Sequence, residues 1–225
     1  MNTRKVVYLF YTTFLIGTIA GSLMGFVLDW RTHLNDLMNV QFGGIAMVVI
    51  TASIWTVIAQ MGFFAYLTIH RFGLGIFKSV KLWSRVQIVL IGFALFDLMF
   101  FRHMAFAEEG QGMLGFAVMP LLLLGYGLIV AYIKSKDTHW LAFIPTLFFI
   151  VVVTMVEWIP ALRENDMTFL LTSIVPLLVA NTWQVLVLHR LHEPESKPAE
   201  EKGRQKKGKT AKNKTAKHKK AQPST

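Results

Sequence analysis

Six long apolar runs constrain this 225-residue chain more than any other feature of its sequence. They cover residues 6–28, 42–69, 86–106, 113–133, 140–159 and 168–188. Each run is long enough to cross ~30 Å of hydrocarbon as a helix that rises about 1.5 Å per residue. Because 54% of the chain is hydrophobic and only 16% is charged, the composition is typical of an integral membrane protein. We therefore predict an all-α membrane protein, with a six-transmembrane-helix bundle over residues 1–192.

The basic residues are shared unequally between alternate loops. If the N-terminus is cytoplasmic, 20 of the 23 Lys and Arg lie on the cytoplasmic side. Only Arg31, Arg102 and Arg163 lie outside, each in a loop that also contains acidic residues. Because basic residues in short loops stay in the cytoplasm, we predict a multi-pass membrane protein with both termini cytoplasmic.

Residues 193–225 differ in composition from the rest of the chain. Eleven Lys and Arg lie between positions 194 and 225 against three Glu, and the sequence KTAK occurs twice. Such a segment buries too little apolar surface to fold, so we predict a disordered Lys-rich cytoplasmic tail. Its charge favours contact with anionic lipids. No aromatic residue lies among the lysines to stack on bases, so we expect no specific nucleic-acid partner.

The first run carries small residues at a regular spacing. Gly17, Gly21 and Gly25 follow Thr13 at intervals of four and therefore share one helix face. Such a face lets a second helix approach closely. The second helix is either another span of this bundle or a span of a partner protein.

Polar residues within the spans predict contacts between helices. Gln60, Asn181 and Gln184 lie at similar depths and are expected to hydrogen-bond across helices. Glu157 lies near the outer end of the fifth run, and we expect its carboxylate to reach the water at the lipid headgroups.

Asp97 lies just past the middle of the third run. Arg102 follows five residues later, about 140° around a helix, so local pairing is not expected. We predict that Asp97 faces the bundle and hydrogen-bonds to another helix. Alternatively, Asp97 with the proline-kinked helices at Pro120, Pro145 and Pro176 could serve a small transporter or channel component.

Catalytic and ligand-binding motifs are missing from the sequence. It contains no HExxH, GxSxG or P-loop motif and no cysteine. We therefore expect a protein that is not an enzyme and that has no catalytic, cofactor-binding or metal-binding residues.

Three stretches carry a resemblance to a known family. They are TTFLIGTIAG at residues 12–21, WTVIAQMGFFAYLTIHRFGLGIF at 55–77 and LWSRVQ at 82–87. Together they resemble the KinB-signalling pathway activation (KbaA) proteins of spore-forming Gram-positive bacteria. The resemblance implies a role at the initiation of sporulation, in which the chain promotes signalling through a membrane sensor histidine kinase.

The segment 70–85 is the largest predicted cytoplasmic loop before the tail. Its candidate contact residues for a kinase or lipid surface are Arg71, Lys78, Lys81, Trp83 and Arg85. The segment is either a short interfacial helix that contacts such a surface or an amphipathic loop that anchors two spans.

Overall fold

The computed structural model describes residues 3–39 and 42–192, and every regular element in that part of the chain is helical. The helices are α1 (Thr3–Leu28), α2 (Trp30–Met38), α3 (Gly43–Phe77), α4 (Val80–Phe106), α5 (Val118–Asp137), α6 (Phe143–Phe148), α7 (Thr154–Leu162) and α8 (Met167–His192). Short 3-10 helices at Met113–Ala117 and Trp140–Ala142 precede α5 and α6, and a π-helix at Phe149–Val153 joins α6 to α7.

Six helical stretches are long and apolar enough to cross a membrane. They are Thr3–Leu28, Gly43–Phe77, Val80–Phe106, Met113–Asp137, Trp140–Leu162 and Met167–His189. This confirms the prediction of an all-α chain with six such helices. The predicted tail at 193–225 lies outside the described residues.

The two spans on either side of segment 70–85 are longer than the apolar runs predicted. α3 continues through Phe77 and α4 begins at Val80, so only Lys78 and Ser79 separate them. Lys78 adopts a left-handed backbone with φ 50°, which ends α3, and Ser79 then caps α4. The prediction of a separate interfacial helix in this segment is therefore wrong, because the two spanning helices themselves form a helical hairpin.

The fifth and sixth spans lie at the centre of the bundle. About half of each is buried, 56% and 50%, against 22–28% for the other four. The π-helix at Phe149–Val153 is in the core, since Phe149, Ile150 and Val151 are fully buried. A π-helix has more residues per turn than an α-helix, so it rotates the side chains that follow it in α7 relative to those of α6.

Candidate functional site

The tip of the α3–α4 hairpin gathers the candidate contact residues of segment 70–85. The hydroxyl oxygen of Ser79 accepts a hydrogen bond from the backbone amide of Leu82 at 3.4 Å, which closes the first turn of α4. Arg71, Lys78, Lys81 and Arg85 are all exposed. Because segment 70–85 contains no acidic residue, its positive charge is not neutralised locally.

Trp83 is placed differently from the four basic residues. It is only 5% exposed, and its indole Nε1 donates to His70 Nδ1 at 3.1 Å. Its ring stacks on Phe77 with centroids 5.5 Å apart, and a Cβ at Gly73 would overlap it. The prediction that Trp83 contacts a partner is therefore wrong, because packing between the two helices buries the indole. Trp83 instead holds α3 and α4 together at this end of the hairpin.

The exposed surface of the hairpin tip is amphipathic. Phe72 and Ile76 are 66% and 71% exposed on α3, near Arg71 in sequence. Apolar side chains interleaved with cations are typical of a surface that binds at a membrane interface or contacts a protein there. We call the exposed residues Arg71, Phe72, Ile76, Lys78, Lys81 and Arg85 the hairpin tip.

A buried polar cluster joins the two central spans. Asn181 on α8 donates from its Nδ2 to Glu157 Oε2 at 2.6 Å and to Thr154 Oγ1 at 3.0 Å. Thr154 and Glu157 are three residues apart on α7, so both point toward the same neighbour. Close by, Trp158 Nε1 donates to Ser173 Oγ at 2.8 Å.

The expected contact of Glu157 with headgroup water is wrong. Glu157 is only 7% exposed, and its carboxylate fills the space beside Gly62, where a Cβ would collide with it. Glu157 lies in α7 after the π-helix, which changes the direction of the side chains that follow it. Thr154 and Glu157, two polar residues three apart in an apolar helix, were the available signal for a polar helix contact.

Gln60 and Gln184 are both buried but are not paired with each other. Gln60 Nε2 crosses to α1 and donates to the backbone oxygen of Phe10 at 3.2 Å. Gln184 is 1% exposed on α8. Of these three polar residues, Gln60 and Asn181 hydrogen-bond across helices, whereas the buried Oε1 of Gln184 has no hydrogen-bond partner in the described part of the chain.

The glycine face of α1 is covered by α3. Gly17, Gly21 and Gly25 are buried together with Thr13. Their nearest neighbours on α3 are, in the same order, Thr56, Ala52 and Val48. A Cβ on Gly21 would lie 2.8 Å from Ala52 Cβ and 3.0 Å from ring carbons of Pro176, so α1 also approaches α8 there. The face is thus used for packing within the chain.

The predicted inward placement of Asp97 is wrong. The buried residues of α4 are Trp83, Gln87, Ile91, Ala94, Leu98 and Arg102. Asp97 is one residue, or about 100°, from this face and is exposed. It makes no hydrogen bond or ion pair with the described part of the chain. Two other polar residues, Gln87 and Arg102, lie on the inward face. The position of Asp97 in an apolar run therefore did not identify which face of α4 is packed.

Arg102 is a polar residue whose role the sequence did not reveal. It is 6% exposed, and its guanidinium donates to the backbone oxygens of Leu162 at 3.3 Å and Glu164 at 3.1 Å. It also donates to Asn165 Oδ1 at 3.2 Å. Arg102 therefore caps the C-terminal end of α7, where carbonyl groups have no helical partner.

Among the described residues, no three His, Cys, Asp or Glu side chains come together as a metal site.

Comparisons with known proteins identify relatives of the chain. A family model described as KinB-signalling pathway activation in sporulation matches residues 17–191. No solved structure matches the chain.

A curated relative covers almost the same part of the chain. It is the "KinB-signaling pathway activation protein" of Bacillus subtilis (strain 168), 39% identical over 192 residues, or 84% of this chain and 97% of that protein. The match confirms the resemblance seen at residues 12–21, 55–77 and 82–87. The chain therefore belongs to the KinB-signalling pathway activation (KbaA) family.

Proposed function

We propose that this protein is a non-enzymatic integral membrane regulator that promotes activation of a KinB-type sensor histidine kinase pathway at the initiation of sporulation. The observation that carries the proposal is its 39% identity across 97% of the B. subtilis KinB-signaling pathway activation protein. The six long apolar helices support an insertion in the bacterial cell membrane.

The proposed orientation puts both termini and the hairpin tip on the cytoplasmic side. The excess of Lys and Arg in the segments on that side supports it. The hairpin tip would then present four exposed cations and two exposed apolar side chains to the cytoplasm. Anionic lipids are the proposed partners of the Lys-rich tail at 193–225, because cations near such a surface are attracted to it.

The roles of the buried polar residues support a regulator rather than an enzyme. Arg102 caps α7, Asn181 joins α8 to α7, and Gln60 joins α3 to α1. Each of these groups bonds to a structural neighbour between helices. The hairpin tip and the outward face of α4 are among the exposed surfaces that a partner could contact.

Deletion of the gene tests the proposed function. In a strain that depends on the KinB-type kinase to start sporulation, we expect the deletion to lower heat-resistant spore counts and expression from an early sporulation promoter. An inserted copy of the wild-type gene should restore both. A strain that starts sporulation through a different kinase provides the control and should be unaffected. Unchanged spore counts in the kinase-dependent strain would refute the proposal.

The transporter alternative loses its main supports. Asp97 faces away from the bundle, so it does not line a path between the helices. Pro120 and Pro145 each lie in the first turn of an α-helix that a short 3-10 helix precedes, and the helical spans continue through both. Of these three prolines, Pro176 is the one well inside its α-helix, and it packs against Gly21 of α1.

A further inference from the structure

The outward face of α4 carries an acidic residue that no residue in the described part of the chain satisfies. Asp97 lies nine residues before the end of α4 at Phe106, about 14 Å along the helix axis. That position is inside the ~30 Å hydrocarbon core when α4 crosses the membrane. An acidic side chain at this depth is costly unless a polar or charged group of a neighbouring helix pairs with it.

The apolar residues around Asp97 have the spacing of a helix-docking face. Leu90, Phe93, Phe100 and Met104 are all exposed, and with Asp97 they follow one another at intervals of three and four residues. Alternating intervals of three and four residues keep the five side chains along one side of the helix. The same spacing is typical of two helices that pack as a left-handed coiled coil. We call these five residues the α4 seam.

No cation among the described residues pairs with Asp97 in the α4 seam. Arg102, the nearest in sequence, is buried on the other side of α4 and donates to the backbone oxygens of Leu162 and Glu164. His103 lies against the backbone oxygen of Gln111 at 3.2 Å. Asp97 makes no hydrogen bond in the described part of the chain, so a group that pairs with it would have to come from elsewhere.

Charge and depth identify what kind of partner fits. A second copy of this chain presenting the same face would bring another acidic residue toward Asp97, which repels. The Lys-rich tail has almost no apolar residue and would not enter the hydrocarbon core. A spanning helix with one Lys or Arg at matching depth satisfies both the apolar seam and the carboxylate.

We infer that the α4 seam is the docking surface for a spanning helix of the sensor kinase, and that a Lys or Arg of that helix pairs with Asp97. This inference rests on the proposed function and specifies where the two membrane proteins meet. The hairpin tip lies at the cytoplasmic end of the same helix, α4, so contact along the seam would continue into contact at the tip.

Photocrosslinking in native membranes tests the inference. A benzophenone amino acid replaces Phe93, which is in the α4 seam, or Leu121, which is equally exposed on α5 and serves as the matched control. The kinase carries an epitope tag. We expect an adduct with the tagged kinase from position 93 and none from position 121, and no such adduct in a strain without the kinase.

Substitutions at Asp97 test the charge pair. Because Asp97 is exposed and makes no hydrogen bond or ion pair in the described part of the chain, Asp97→Asn and Asp97→Leu should insert at wild-type levels. We expect Asp97→Leu to lower the adduct yield about three- to tenfold, with Asp97→Asn in between, as for the loss of one interhelical polar contact. Replacement of the paired Lys or Arg of the kinase by Asp, combined with Asp97→Lys, should restore the yield.

Several outcomes would overturn the inference and leave the proposed function standing. One is an adduct between two copies of this chain at position 93. Two others are no kinase adduct from position 93, or equal kinase adducts from positions 93 and 121. The last is a yield of kinase adduct that Asp97→Leu does not change. The deletion test is independent, since spore counts that do not fall would refute the proposed function whatever the crosslinks show.

Discussion

At the scale of single residues, the polar groups within the spans differ by the face on which they lie. Glu157, Asn181 and Arg102 face inward and are bonded to groups of neighbouring helices. Asp97 faces outward and is not. The inward residues therefore hold the bundle together, whereas the outward one is available to a partner.

The Glu157–Asn181 contact predicts that the hydrogen bond between the two side chains, and not the charge of Glu157, stabilises the bundle. Glu157→Gln keeps the size and hydrogen-bonding capacity of the side chain without a charge in the core, so we expect it to insert and signal normally. Asn181→Leu removes both donated bonds and leaves Glu157 and Thr154 buried without them, which should cost about 1–3 kcal/mol. Thermal unfolding in detergent measures both variants. Strong destabilisation by Glu157→Gln would show that the carboxylate charge itself is needed.

The packed glycine of α1 gives a second prediction at this scale. Gly21→Ala places a methyl group against Ala52 and the rigid ring of Pro176, so we expect a loss of about 1–3 kcal/mol. Gly92→Ala is the control, because a Cβ there meets nothing within 4 Å and a helical alanine is favoured by about 1 kcal/mol. The unfolding temperatures of the two variants should move in opposite directions. Equal behaviour would mean that α1 does not approach α3 and α8 closely.

At the scale of elements, the α3–α4 hairpin separates structural from exposed residues. His70, Phe77 and Trp83 pack between its two helices, and only Lys78 and Ser79 connect them. A short connection and a buried indole restrict how the hairpin tip can move. The exposed cations can therefore be changed without disturbing what holds the hairpin.

Charge reversal at the hairpin tip tests its role in signalling. Lys81→Glu alters an exposed side chain with no buried contact, so the protein should accumulate in the membrane at the wild-type level. We expect expression from an early sporulation promoter to fall, because the tip would repel an acidic protein or lipid surface. Lys136→Glu, an exposed cation at the end of α5, is the matched control and should signal normally. If both variants signal equally well, the tip is not a contact surface.

At the scale of the whole molecule, the bundle is built around its fifth and sixth spans. These two are about half buried, whereas the other four are mostly exposed to the surroundings. The buried polar cluster lies between the same two spans, on α7 and α8. The outer four spans thus present the surfaces that a partner in the membrane can reach.

The orientation of the whole molecule is a prediction that fusions can test. Alkaline phosphatase folds actively only outside the cytoplasm, so it should be inactive when fused after residue 225 and active when inserted between α4 and α5 at residues 107–112. A cytoplasmic reporter such as green fluorescent protein should show the opposite pattern. Phosphatase activity at the C-terminus would contradict the positive-inside assignment.

Much of the architecture could be predicted from residues alone. Hydrocarbon thickness requires runs of about 20 apolar residues, so the number and order of the spans follow from composition along the chain. The spacing of Gly17, Gly21 and Gly25 likewise predicts a close helix contact. The predicted ends of α3 and α4 were less accurate, because a helix continues past the apolar run wherever packing, as around Trp83, supports it.

The sequence by itself determined the six spans, the unequal distribution of charge and the family of this protein. Only the tertiary structure decided which face of each span is inside. In a membrane, apolar residues surround a helix on every side, so periodicity does not distinguish the packed face from the lipid-exposed one. For that reason Glu157, expected at the interface, lies in the core, and Asp97, expected in the core, lies outside.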